Sequence, residues 1–209
     1  MTKLLPLEIV ATILYAASVF LFGFNPETTS ILIFQFAWGA AIVACILYVI
    51  FFYHKRLYSD MVEMGIYTPL NIIGFAGVLF YSATFTGVEL PGLPTLLISI
   101  VAGTIASIGM RTIAVGLHNK IPQFFPPPAS AWLDGITTGL SFIATILLIL
   151  WNPLTWLLWL PINIMAIIVY WRNKAYVVMA SYCLYFLNAI RGSISWQTWQ
   201  YLAEIFTRG

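Results

Sequence analysis

Long stretches without charge dominate this sequence. From Gly135 to Trp171, 37 consecutive residues carry no Asp, Glu, Lys or Arg, and another uncharged stretch separates Glu27 from the His54-Lys55-Arg56 turn. One helix crossing a bilayer needs about 20 mainly apolar residues, so the longer stretch exceeds one crossing. Charged side chains make up only 8% of the chain, against roughly 25% in a soluble domain. Lipid is therefore the expected solvent for most of the surface. The 209 residues accommodate about seven crossings with short connections and leave no room for a separate soluble domain. The expected fold is an all-α integral membrane protein with one membrane domain over residues 1–209. A net charge of +2 with scattered basic residues gives no nucleic-acid footprint. Cys45 and Cys183 each lie inside an apolar run and read as small packed side chains rather than a disulfide pair.

Charges and turn residues divide the chain into seven segments. The first runs from Leu5 to Phe22 and is closed by Asn25-Pro26; the second lies between Glu27 and His54, the third between Glu63 and Glu89. The fourth covers most of Leu96 to Val115, with Arg111 near one end, and Phe124-Phe125-Pro126-Pro127-Pro128 marks a loop after it. Asn152-Pro153 splits the 37-residue stretch into helices five and six. The seventh covers about Ala175 to Trp196. The first segment contains Glu8 and lacks a small-residue cleavage site, so it reads as a retained helix rather than a signal peptide.

Lys and Arg are retained on the cytoplasmic side during insertion. Lys3, Lys55, Arg56, Lys120, Arg172 and Lys174 flank one side of these segments, and the alternate loops carry no Lys or Arg. This predicts a plasma (inner) membrane protein with a cytoplasmic N-terminus and, after seven crossings, an outside C-terminus. Arg191 is the one basic residue in the non-cytoplasmic half of its helix.

An internal repeat is visible. A shift of 118 residues lays Trp38 on Trp156, Ile46 on Ile164, Ile50 on Ile168, Tyr58 on Tyr176 and Gly74 on Gly192, and brings the two basic turns together. With a shorter loop before helix six, Glu8 and Thr12 fall on Asp134 and Thr138. Helix four has no counterpart. The predicted organisation is a repeat over residues 5–82, a linking helix over 96–115 and a second repeat over 131–196. Three helices plus one linker is an even number, so both repeats enter the membrane in the same direction. Parallel repeats of this kind occur in transporters that bind substrate near the midplane between their halves.

Polar and aromatic residues inside the segments are the candidate site. Trp156, Trp159 and Asn163 stand at i, i+3 and i+7 on helix six, close to one face. Indole faces hold cationic rings and an amide reads hydroxyl or amide groups. This makes the face a candidate wall for a charged aromatic ring; the competing reading is an interfacial aromatic belt. Asp134, Thr138, Ser141 and Thr145 form a stripe on helix five, and Asp134 lies near enough to the helix start to be a cap or an interfacial residue instead. Asn71 before Gly74, and Asn188 before Gly192, are amides in matching regions of the repeats and serve either substrate or interhelix hydrogen bonds. Trp38 is the repeat-one partner of Trp156. Ser99, Gly103 and Ser107 on helix four, with Gly135 and Gly139 on helix five, have small-residue spacing that suits close helix packing.

The stretch Trp132-Leu133-Asp134-Gly135-Ile136-Thr137-Thr138-Gly139-Leu140-Ser141, followed by Trp156-x-x-Trp159-x-x-x-Asn163, Tyr176 and Gly192, resembles the PnuC family of vitamin-precursor transporters. The resemblance is strongest from Ala131 to Trp196; over the first three helices Leu57-Tyr58-Ser59-Asp60 and Ile72-Ile73-Gly74 fit it. It implies facilitated diffusion of nicotinamide riboside without ion coupling, a homotrimer, and a cytosolic kinase that traps the small-molecule substrate. No cofactor or metal is implied. Two positions depart from the family pattern. Asn71 stands where a Gln is common, and Phe75-Ala76-Gly77-Val78 replaces a Trp-rich run, which keeps thiamine or another nucleoside as the alternative substrate. An intramembrane enzyme is the contrasting class, and it lacks its usual constellation here: the only histidines, His54 and His118, fall in loops.

Overall fold

The computed structural model describes residues 5–55, 58–80, 92–123, 131–172 and 176–208. All of its regular structure is helical: α1 (Leu5–Phe22), α2 (Ile31–Lys55), α3 (Tyr58–Phe80), α4 (Gly92–Lys120), α5 (Ala131–Ile149), α6 (Leu154–Arg172), α7 (Tyr176–Ser195) and α8 (Thr198–Arg208). By length and composition, α2, α3, α4 and α6 are each apolar enough to cross a membrane, and α1 and α5 are shorter apolar helices. The 20 residues of α7 include Asn188, Arg191 and three serines, which dilute its apolar character. That polar content, with Arg191 already the awkward charge of the seventh expected segment, sets α7 apart from the other expected spans.

Several ends differ from the expected ones for a common reason. A charge reads as a helix boundary in the sequence, yet charged residues continue the helices here. Asp60 and Glu63 lie inside the first two turns of α3, and α4 extends through His118 to Lys120. The helix α8 was not anticipated. Thr198, Tyr201, Leu202 and Ile205 recur at i, i+3, i+4 and i+7; the last three pack with Leu147 and Leu154, Thr198 Oγ1 donates to Pro153 O at 3.1 Å, and Trp199 and Phe206 are exposed.

The helices form two compact units. The first contains α1–α3 and the end of α4 from Gly116. Its central helix is α2, which packs against both α1 and α3. Ala37, Ala40, Ala41 and Ala44 are buried on α2, and such small side chains let helix backbones approach closely where no water drives association. The second unit contains α4 up to Val115, α5–α8 and the Gly23–Asn25 segment. Here α6 is central, against α5 and α7, with α8 resting on α6 and α7.

The turn between α5 and α6 follows from its residues. Trp151 adopts φ 56°; Asn152 N–H reaches Leu147 O at 2.8 Å and Trp151 N–H reaches Leu148 O at 3.0 Å, the paired bonds of a Schellman ending. Asn152 Oδ1 then accepts Leu154 N–H at 3.0 Å, with Pro153 at the entry to the new helix, where its missing N–H costs nothing. One asparagine thus closes α5 and opens α6. Thr155 Oγ1 joins the two by donating to Ala144 O at 2.8 Å.

Candidate functional site

Trp156 is buried at the start of α6, seated directly on Gly192 of α7. A methyl group added at Gly192 would lie 2.5 Å from Cδ2, Cε2 and Cε3 of the indole. Only a residue without Cβ permits this approach. Trp196 closes over the same indole edge-on at 5.8 Å and 73°, and itself stacks on Trp151 at 5.5 Å and 9°. The Trp196 indole N–H donates to Phe24 O at 2.7 Å. Three tryptophans and one glycine therefore form a single packed joint.

The first unit contains the same joint in another dress. Trp38 of α2 is buried on Gly74 of α3, where an added methyl would stand 2.6 Å from Cη2 and Cζ2. Phe22 supplies the edge-on ring at 4.5 Å and 64°. Among the described residues, the indole Nε1 atoms of Trp38 and Trp156 are both buried without a hydrogen-bond partner. Buried donors of this kind are rare and call for an explanation.

The remaining sequence-predicted residues separate by environment. Asn163 is 2% exposed and Trp159 half-buried, on the α6 face begun by Trp156. Asn188 is buried on α7, and its Oδ1 is close to Gly23: a methyl there would lie 2.7 Å from it and 2.6 Å from Arg191 Nη2. The Arg191 guanidinium sits 4.6 Å above the Phe24 ring. An aromatic face thus answers the otherwise awkward charge on α7. In the first unit the Asn71 amide donates to Cys45 Sγ at 3.4 Å, which ties α3 to α2.

The helix-five stripe resolves differently along its length. Ser141 Oγ donates to Thr137 O at 2.7 Å, and Thr145 Oγ1 donates to Ser141 O at 2.8 Å. Hydroxyls bonded to their own helix in this way are satisfied without a ligand. Thr138 is half-buried; the side chain of Asp134 lies outside the described residues. The small-residue spacing has the packing role expected of it. Gly139 of α5 lies against the backbone of Ser107 in α4, and a methyl on Gly135 would meet Ser107 O at 2.7 Å. Beside this contact, Arg111 Cζ lies 4.2 Å above the Trp132 ring.

Residues 5–198 match the sequence profile of the nicotinamide mononucleotide transporter family. The chain belongs to that family. Relatives bear out the assignment: it is 24% identical over 165 residues to a nicotinamide riboside transporter, PnuC, of Neisseria mucosa, covering 74% of this chain. It is 25% identical over 170 residues to the Escherichia coli K12 protein of the same name, covering 72% of this chain and 71% of that one. The match spans 61% of the Neisseria protein's length. The crystal structure of the vitamin B3 transporter PnuC superposes with a TM-score of 0.64 at 20% identity, covering 95% of this chain and 82% of the other, so the fold is shared. The family and its structural neighbour are transporters, not enzymes, and the apolar helices make this chain a multi-pass membrane protein.

Within this family member the sequence pointed to α6 and to both glycines but missed Trp196, Trp151 and Phe22. Trp196 follows Trp156 by 40 residues, so no helical period links them. Only the antiparallel pairing of α6 with α7 brings them together.

Proposed function

We propose that this protein carries out facilitated uptake of nicotinamide riboside across the plasma membrane. The observation that carries this reading is the α6 face: half-open Trp159 and buried Asn163 follow the buried indole of Trp156, whose N–H has no partner among the described residues. A flat cationic pyridinium ring gains by lying on an indole face, and a carboxamide or ribose hydroxyl is read by an asparagine amide. The riboside is the ligand named in the relatives.

In this reading Trp159 stacks on the ring and Asn163 orients its polar groups. Within the second unit Trp156 supplies an indole donor, Asn188 closes the site and Thr138 borders it; within the first unit Trp38 and Asn71 offer the corresponding indole and amide. The arrangement is three helices, a linker and three helices, with seven crossings. The similar joints Trp38 on Gly74 and Trp156 on Gly192, each linking a central helix to the third, support it. The basic loops face the cytoplasm and the C-terminus faces outward. The assembly is a homotrimer, and a cytosolic kinase draws uptake forward by trapping the product.

Radiolabelled nicotinamide riboside uptake into proteoliposomes tests the activity. Uptake should saturate, equilibrate at the outside concentration, and resist ionophores. Competition by thiamine at lower concentration than by nicotinamide riboside overturns the substrate. Accumulation driven by a proton or sodium gradient overturns passive transport.

A further inference from the structure

The α6 face marked by Trp156 and Asn163 continues. Seven residues beyond Asn163 stands Tyr170, and a seven-residue step rotates an α-helix by only about 20° while advancing about 10 Å. There Tyr170 stacks on Tyr182 of α7, with centroids 5.2 Å apart and planes 26° apart. Tyr182 in turn meets Tyr185 edge-on at 5.5 Å and 72°. On α7, Tyr185, Asn188 and Gly192 stand at i, i+3 and i+7, a second stripe of aromatic, amide and glycine positions. The α6–α7 pair therefore runs from an indole joint, past two amides, to three phenol rings near its basic end.

An aromatic belt at the lipid interface would explain isolated rings at that level. The same end of the hairpin already has such rings: Trp171 is 65% exposed and Tyr176 57% exposed. The three tyrosines differ from them. All are half-buried, and they stack on one another across two helices.

We propose that Tyr170, Tyr182 and Tyr185 form a second, inner stacking station for a flat cationic ring leaving the α6 face toward the basic end. This rests on the transport reading above. Phenol faces attract cations more weakly than indole faces do, and a pathway conducts well when successive sites bind strongly enough to be entered and weakly enough to be left. A weaker station beyond a stronger one satisfies both conditions.

The test compares Tyr170→Leu/Tyr182→Leu with Tyr170→Phe/Tyr182→Phe in proteoliposomes, using nicotinamide riboside as the probe. The leucine pair should lower the initial transport rate roughly 3- to 10-fold with the equilibrium Kd and the thermal midpoint unchanged. The phenylalanine pair, which keeps the ring faces, should transport like the unmodified protein. Tyr185→Leu, at the edge of the cluster, gives the same selective loss on a smaller scale and decides the matter if the leucine pair does not fold. An unchanged rate in the leucine variants overturns the station. So does a rate that falls only together with the thermal midpoint, the signature of packing. If the unmodified protein takes up no nicotinamide riboside, the transport reading fails and the station with it; if it does and the leucine variants match it, only the station fails.

Discussion

The two indole joints differ in what surrounds the same contact. Trp38 on Gly74 is met edge-on by Phe22, whereas Trp156 on Gly192 is met edge-on by Trp196, which itself stacks on Trp151 and donates to Phe24 O. The neighbouring amides diverge as well: Asn71 is tied to Cys45 Sγ, and Asn188 lies beside Gly23 and Arg191. The more elaborate second joint sits next to the half-open Trp159 and buried Asn163, so its extra tryptophans give a rigid backing to the face read here as the substrate wall. The two units thus share one packing solution, an indole on a glycine, and differ in the rings around it.

The largest effect should come from filling the glycines. Gly192→Ala and Gly74→Ala each force a methyl against a buried indole, which should destabilise by about 1–3 kcal/mol, measured as unfolding in detergent. Because the ring that closes the second joint is itself stacked on Trp151 and hydrogen-bonded to Phe24 O, Gly192→Ala should cost more than Gly74→Ala. Equal costs break the comparison.

Next in size are the binding effects. Trp159→Ala and Asn163→Leu should each weaken nicotinamide riboside binding by about 1–2 kcal/mol, or roughly 5- to 30-fold in Kd, with normal thermal stability. Trp156→Ala should lower stability as well as binding, since its ring fills the joint. Equilibrium binding to purified variants alongside thermal unfolding separates the two roles. Unchanged binding by Trp159→Ala and Asn163→Leu removes the site from α6.

Asn152→Ala sharpens the contrast at the turn behind the second joint. Losing the Oδ1 bond to Leu154 N–H should cost about 1 kcal/mol, read by thermal unfolding, and a neutral result would mean the Schellman ending alone sets the turn. The smallest effect is expected at Gln197, where φ is 52° between α7 and α8. Gln197→Gly should stabilise by up to about 1 kcal/mol by relieving a left-handed conformation; a loss of stability would show that the Gln197 side chain anchors the turn.

Much of this protein is determined by sequence alone. Spacing between charges follows bilayer thickness, so Leu5–Phe22 emerged with its limits intact, and Asn152-Pro153 located the α5–α6 break because a capping asparagine before a proline is local chemistry. The small-residue stripes of α4 and α5 foretold their contact because close helix approach depends on side-chain size. The charge-based ends of α3 and α4 were less faithful, since a helix does not stop where lipid does. The sequence marked Gly74 and Gly192 as equivalent, yet only the tertiary structure decided that each is the seat of an indole, and that Trp196, Trp151 and Phe22 complete those joints. It likewise assigned Ser141 and Thr145 to their own backbone and gathered Tyr170, Tyr182 and Tyr185 from two helices into one stack. The physical reason is range: periodicity and capping act within a few residues, whereas these contacts join side chains on different helices and exist only once the helices have paired.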